Sequence, residues 1–474
     1  MSIESIRKSL SGSRNLLSAF AAGVVIFAAA CGGMNQGGTT PPGGNPQSQS
    51  SMAQIKIGDD PADRLLSFEV SVGPITLAPD SGGAPITVLS GNKRVELTHL
   101  SGTSQPISLL SIPQGSYKAA TVTLANPEVT FLNSLGKTKK LEFKTSKTIT
   151  INFSPSIVIG TSSAVVGFDV NLSKLLVFDA NGNVIGVNIT AASFTVNSVN
   201  VAPPGKQHDD DGELEDTTGT ISAVNGSSFT LTVADTGASL TFTTDSKTEF
   251  EDGASLAVNA MVTVEGVTNA DGSLYAKKIE GVEDEQGSAA EGLITVVTGD
   301  PASALTVVAD EAMGSGTGSG TVGSPVTIHV SNAKFQVKQG DVDTSGLGNL
   351  PSEQFPFDAS SVHAGQRVEI ESQDGMSAGG VVAEKVRLQQ QALVGKVSGL
   401  NGPTSSGSVT FTLTLPADSA FAMLSGQTQV TIFWQPGTNL QKLGSVSNGD
   451  KIRVRGLVFD GGTSFNMIAA RITK

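Results

Sequence analysis

GTISAVNGSSFTLTV, residues 219–233, is the stretch on which the fold turns. It opens on Gly219 and places Ile221 and Val224 at wide spacing. It then alternates strictly through Phe229, Leu231 and Val233. Period-two alternation buries one face of a strand. The same order recurs in GLITVVTGDPASALTVV, residues 292–308, and in GKVSGLNGPTSSGSVTFTLTL, residues 395–415. Each opens on a glycine (Gly219, Gly292, Gly395), and in each a further alternating strand follows. Glycine at the head of a first strand suits a sharp bend where one strand serves both sides of a small barrel.

The closing halves repeat more closely. NAMVTVEG (259–266), AGQRVEIES (364–372) and NGDKIRVRG (448–456) align Val262 with Val368 and Ile452, and Val264 with Ile370 and Val454. Each is followed by an Asp-Gly pair, at Asp271, Asp374 and Asp460. Asp-Gly supplies turn dihedrals that other residues resist. Each unit ends with Ala, a basic residue two later, then an apolar one: Ala276, Lys278, Ile279; Ala383, Lys385, Val386; Ala469, Arg471, Ile472. About five short strands are too few for a broad sandwich and enough for a closed barrel, which also removes exposed edges. The spacing predicts three OB-like barrels, at 218–282, 288–391 and 392–474. The middle one carries surface insertions at 314–324 and 339–357. These units resemble a bacterial family of exported domains known only as a domain of unknown function, often arranged as tandem OB-like repeats.

Residues 54–203 differ. Leu66, Phe68, Val70 and Val72 alternate, and further strand patterns follow at short spacing, predicting an antiparallel β-sandwich. Asp59-Asp60-Pro61-Ala62, the segment from Leu109-Leu110 to Ile112-Pro113-Gln114-Gly115-Ser116-Tyr117, and GFDVNLSKLLV at 167–177 resemble a second bacterial domain of unknown function, found at the N-terminus of exported lipoproteins. That resemblance implies surface or periplasmic placement. Residues 204–217 include HDDDGELED, 208–216, and read as an acidic linker. Asp209, Asp211 and Glu213 could supply some of the six to eight oxygens calcium needs, although the spacing is not that of a complete EF-hand loop.

The fold class is thus all-β, and the N-terminus says where it works. Residues 1–15 carry Arg7, Lys8 and Arg14, and the apolar run Leu16–Ala30 is fifteen residues long, shorter than the 20 or so of a spanning helix. Cys31, the one cysteine of 474 residues, follows Ala28-Ala29-Ala30. The arrangement resembles the lipobox of bacterial lipoproteins, which implies cleavage before Cys31 and lipid attachment to it. Ala28 and Ala30 also satisfy an ordinary Ala-x-Ala cleavage site, but that reading leaves the position of the single thiol unexplained. Residues 31–53 are rich in Gly, Pro, Gln and Ser and read as a disordered tether. Gly32, in place of the aspartate that retains Gram-negative lipoproteins at the inner membrane, points to the outer membrane.

Chemistry is sparse. His99, His208, His329 and His363 are scattered, without metal-ligand spacing. No Gly-x-Ser-x-Gly occurs, and the glycine-rich 314–324 lacks a phosphate-loop lysine. Tyr275 and Trp434 could stack on a sugar, yet both lie in strand patterns that suit core or barrel-wall packing. A net charge of −13 disfavours nucleic acid, whose affinity comes mainly from Lys and Arg on phosphates. No cofactor is expected. The reading is a non-enzymatic envelope lipoprotein that binds the membrane through its lipid and an envelope protein, polysaccharide or matrix component through its domains. The alternative is an envelope hydrolase or calcium-dependent enzyme.

Overall fold

The computed structural model describes residues 49–60, 64–101, 103–202, 212–234, 236–251, 253–282, 288–314, 322–372, 380–400, 409–440, 443 and 445–473. Cys31 lies outside them, as do Asp209 and Asp211. Ser48–Lys474 is one compact unit built almost wholly of strands.

The N-terminal part is a sandwich. One sheet orders Phe194–Asn200, Ala164–Asn171, Ser50–Asp60 and Ser104–Pro113. The other is built on the long strands Leu65–Pro79 and Gly115–Leu132, with four shorter or flanking strands paired to them. Phe68, Val70, Ile75 and Leu77 from one sheet meet Ile55, Ile57 and Phe168 from the other in a single buried cluster. Two expectations change. Ser50–Asp60 pairs parallel with Ala164–Asn171, so the sandwich is not wholly antiparallel. That strand also starts inside the stretch read as tether. Ser51 and Ala53 are buried, because the backbone of Ser50–Ala53 finds partners on Leu110–Pro113.

The first C-terminal sheet centres on Glu213–Asn225, which pairs with Ser228–Val233 on one side and Met261–Thr268 on the other. Ser239–Thr243 and Leu274–Val282 complete the ring, closing through the parallel pairs Phe242–Leu274 and Thr243–Tyr275. Ile221, Phe229, Leu231, Val262, Val264 and Ile279 share its interior. Gln391–Ser398, Val409–Thr414, Gln429–Asn439, Lys451–Asp460 and Phe465–Thr473 form a second closed barrel with the same pairing order. Between them, Ser288–Thr298, Ala304–Gly314, Pro325–His329 and Arg367–Ser372 pair in that order too. There the last strand is interrupted at Ala383-Glu384, leaving Val381–Val382 on Pro325–His329 and Lys385–Leu388 on Arg367–Ser372.

The opening glycines earn their positions by close approach. A Cβ on Gly219, Gly292 or Gly395 would lie under 3.0 Å from the backbone carbonyl of Thr232, Val308 or Thr414 on the neighbouring strand. Only a residue without a side chain lets that strand bend between its two partners.

Two boundaries move. Residues 213–217 of the acidic linker belong to the first barrel strand: Leu214 is fully buried in the barrel core, and Thr217 pairs with Val264. Segment 339–357 is no surface insertion. Val342, Phe355 and Phe357 join Leu457, Phe459, Ile468 and Ala470 of the last barrel in one core. The Phe355 ring meets Phe433 and Phe459 edge-on at 5.0 and 5.4 Å. Burying these rings outweighs the ordering of an irregular segment.

Candidate functional site

Glu213, the calcium candidate that falls among the described residues, is held by lysines. Its carboxylate pairs with Lys277 at 3.0 Å, and its backbone carbonyl accepts from the buried Lys56 ammonium. Among the described residues no group of three or more His, Cys, Asp or Glu is placed to hold a metal. Trp434 is buried in the core of the last barrel. His329 is exposed at a strand end, and His363 packs edge-on against Phe465 at 5.1 Å. His99 instead reaches a junction between domains.

That junction holds a cavity of about 120 Å³. The sandwich contributes Leu66, His99 and Ser101, the middle sheet Leu293, Asp310 and Arg367, and the last barrel Phe421 and Arg455. His99 Nδ1 lies 2.8 Å from Glu96 Oε2. Burial alone would raise the Glu96 carboxyl, but hydrogen bonds and charge from His99, with Thr98 and the Phe68 N–H, hold it below the usual carboxylate value. Arg367 bridges Asp310, through Nη1 to Oδ2 and through Nη2 to Oδ1 at 2.8 Å, and approaches Glu291 at 3.3 Å. Burial disfavours its charge, and the two carboxylates overcome that and keep it protonated. Burial in turn lifts Asp310 above its ordinary value against the pull of Arg367. His99, Asp310 and Arg367 are thus all held in ion pairs.

A second chain of charges ties the first barrel to the middle sheet. Lys278 pairs with Glu251 at 2.8 Å and with Glu280, and Lys338 lies 3.4 Å from Glu280 and 3.6 Å from Glu369. Arg387 then joins Glu369 at 3.4 Å to Glu371 at 2.7 Å, and Lys385 closes on Glu371 at 3.3 Å. Glu369 is pushed up by burial, with Lys338 and Arg387 pulling it back. Such pairs add little net stability, but removing one partner leaves a buried charge and costs about 3–5 kcal/mol. They specify how the domains meet.

A larger opening lies elsewhere. A groove of about 460 Å³ runs over the outer face of Leu274–Val282 in the first barrel. Tyr275 and Lys277 rise from that strand, Glu265 from one neighbour, Glu249 and Glu251 from the other. Gly340 of the middle domain also lines it. Tyr275 Oη donates to Asp245 Oδ1 at 2.8 Å, which fixes the ring. The sequence pattern left Tyr275 open between core and barrel wall. Its position after Leu274 and before Ala276, both buried inward, is the signal that its ring faces out.

The first barrel matches a known family. Residues 218–280 match a domain of unknown function (DUF5666). No curated protein matches the chain. Among solved structures, drosophila Unr CSD456 aligns over 55% of this chain and 97% of its own at 10% identity, with a TM-score of 0.13. A multidomain protein with nucleic acid binding domains from Streptococcus pneumoniae aligns over 54% of this chain and 72% of its own at 12% identity, with a TM-score of 0.11. Likenesses this low carry no argument about the fold or its ligands.

Proposed function

We propose that this chain is a non-enzymatic, outer-membrane lipoprotein that serves as a rigid binding scaffold in the cell envelope. Lipid on Cys31 anchors it, residues 32–48 act as the tether, and its three OB-like units are tandem copies of one domain. The observation that carries the scaffold reading is the way the domains are joined. The middle sheet and the last barrel share one apolar core, and a buried ion-pair chain ties the first barrel to the middle domain. Lys56 and Gln54 of the sandwich bond to Glu213 and Thr268 of the first barrel. Binding faces held in fixed relation lose little freedom on engaging a large partner, which favours a scaffold.

The anchor and the binding are tested separately. Mass analysis of the mature protein should find a diacylglycerol-modified, acylated Cys31 at its N-terminus, and Cys31→Ser should release the protein from membranes. An unmodified N-terminus refutes the anchor. Photo-crosslinkers on the barrel faces in intact cells should trap a recurrent envelope component, and the absence of any adduct refutes the scaffold.

A further inference from the structure

We infer that the groove over Leu274–Val282 is a binding site for an uncharged oligosaccharide, with Tyr275 as its stacking platform. This rests on the scaffold reading and names one class of its ligands.

The argument is chemical. A sugar ring presents C–H groups on its faces and hydroxyls around its rim, and each hydroxyl both donates and accepts. The groove offers the complement. Its floor carries one aromatic ring, half-exposed and locked by the 2.8 Å bond from Tyr275 Oη to Asp245. Asp245 is itself fixed, since its Oδ1 also accepts from the Lys247 N–H at 2.8 Å. A ring already held in place loses no rotamer freedom when a ligand stacks on it.

The walls carry both acceptors and donors. Glu249, Glu251 and Glu265 are carboxylates, and Lys247, Lys277 and Lys278 are ammonium groups. Lys277 is engaged with Glu213, and Lys278 with Glu251 and Glu280. An ammonium has three donors and a carboxylate two oxygens, so each pair keeps capacity for a hydroxyl. Hydrogen bonds to charged groups are the stronger kind.

Other ligand classes fit less well. With Asp245 at the ring, four carboxylates face three ammonium groups, so the groove has no positive charge in excess to draw a nucleic acid or an anionic polymer. These acidic side chains do not converge on a metal position among the described residues. A peptide would need apolar pockets for its side chains, and the groove wall is mostly polar. The opening, about 460 Å³, has room for a short oligosaccharide and is lined by the first barrel except at Gly340, which the middle domain contributes.

The test uses the purified, detergent-solubilised full chain with maltohexaose, cellohexaose and chitohexaose in isothermal titration. At least one should bind saturably at one site. Tyr275→Ala should weaken it roughly tenfold, the loss expected when an aromatic platform is removed. Tyr275→Phe keeps the ring but not its lock and should fall between, while the distant, exposed His329→Ala should bind as the parent does. Affinity should hold steady between roughly 50 and 500 mM salt, since the ligand is uncharged. The proposal is overturned if none of the three binds, if Tyr275→Ala binds as well as the parent, or if affinity collapses with salt. Failure here with crosslinked envelope partners still recovered would remove the sugar site and leave the scaffold reading standing.

Discussion

Lys56 offers the sharpest quantitative test of how the sandwich meets the first barrel. It lies in Ser50–Asp60, 6% exposed, with its ammonium donating to the Glu213 carbonyl. Burial depresses its pKa from 10.5 to about 8, against the attraction of Glu213 and with the repulsion of Arg471. A depressed lysine costs stability wherever the folded protein must still carry the proton. Below pH 8 both states are protonated and the cost is full, about 3 kcal/mol. Between pH 8 and 10.5 the unfolded chain holds the proton and the folded one has released it, so stability rises with pH. Above 10.5 both are neutral and the cost is gone. Lys56→Met keeps the apolar stem and removes the charge, but it takes a donor from the Glu213 carbonyl, at about 1–2 kcal/mol. The variant should therefore be more stable than the parent by about 1–2 kcal/mol at pH 7, and less stable by a similar amount at pH 10.5. Calorimetry at the two pH values reads this as a reversal in the order of melting temperatures, roughly 1 °C per kcal/mol for a cooperative body of this size. A difference of constant sign and size across that range would show that Lys56 is solvated, and the burial argument would fall.

Phe355→Ala should cost about 3–5 kcal/mol and expose the seam between the middle sheet and the last barrel to limited proteolysis, whereas Leu135→Ala, at 78% exposure, should change neither. Gly395→Val should stop the last barrel from closing, seen as loss of hydrogen-exchange protection in Lys451–Asp460 as well as in its own strand, because its side chain would occupy the place of the Thr414 carbonyl. Calcium should leave the melting temperature unchanged. A shift abolished by Asp209→Asn with Asp211→Asn would instead assign a metal site to the acidic cluster.

The barrels were legible because their signal is local. Ile221, Phe229, Leu231, Val262, Val264 and Ile279 alternate at strand period, and that period alone puts them in one interior. The joints were not legible. Glu369 and Arg387 stand at outward strand positions and Lys338 just past a strand end, where charge reads as a solvated face, and only the approach of a second domain buries them. Phe355 and Phe357 sit in an irregular segment with no period to reveal which surface they fill. The parallel pairing of Ser50–Asp60 with Ala164–Asn171 spans more than a hundred residues, and nothing in either stretch encodes the other. The candidate groove was half legible. Tyr275 and Trp434 were equal candidates by composition, and barrel register sends one ring outward and the other in.

Those joints are unequal, and that decides which part of the chain can stand alone. The buried core of the first barrel is drawn wholly from its own residues, Leu214 to Ile279, with Leu109 of the sandwich packed against it. The middle core instead takes Leu457, Phe459, Ile468 and Ala470 from the last barrel. A fragment spanning 212–282 should therefore fold by itself, with the modest stability of a small domain. One starting at 217 discards Leu214, fully buried, and should lose about 2–3 kcal/mol. A fragment spanning 288–390 lacks the partner side of its core, leaving Phe355 and Phe357 without the Phe459 face, and should bind hydrophobic dyes and aggregate. Circular dichroism with denaturant titration of the three fragments separates the cases. If 288–390 unfolds as cooperatively as 212–282, the shared core is an incidental contact and the middle sheet and last barrel are independent domains.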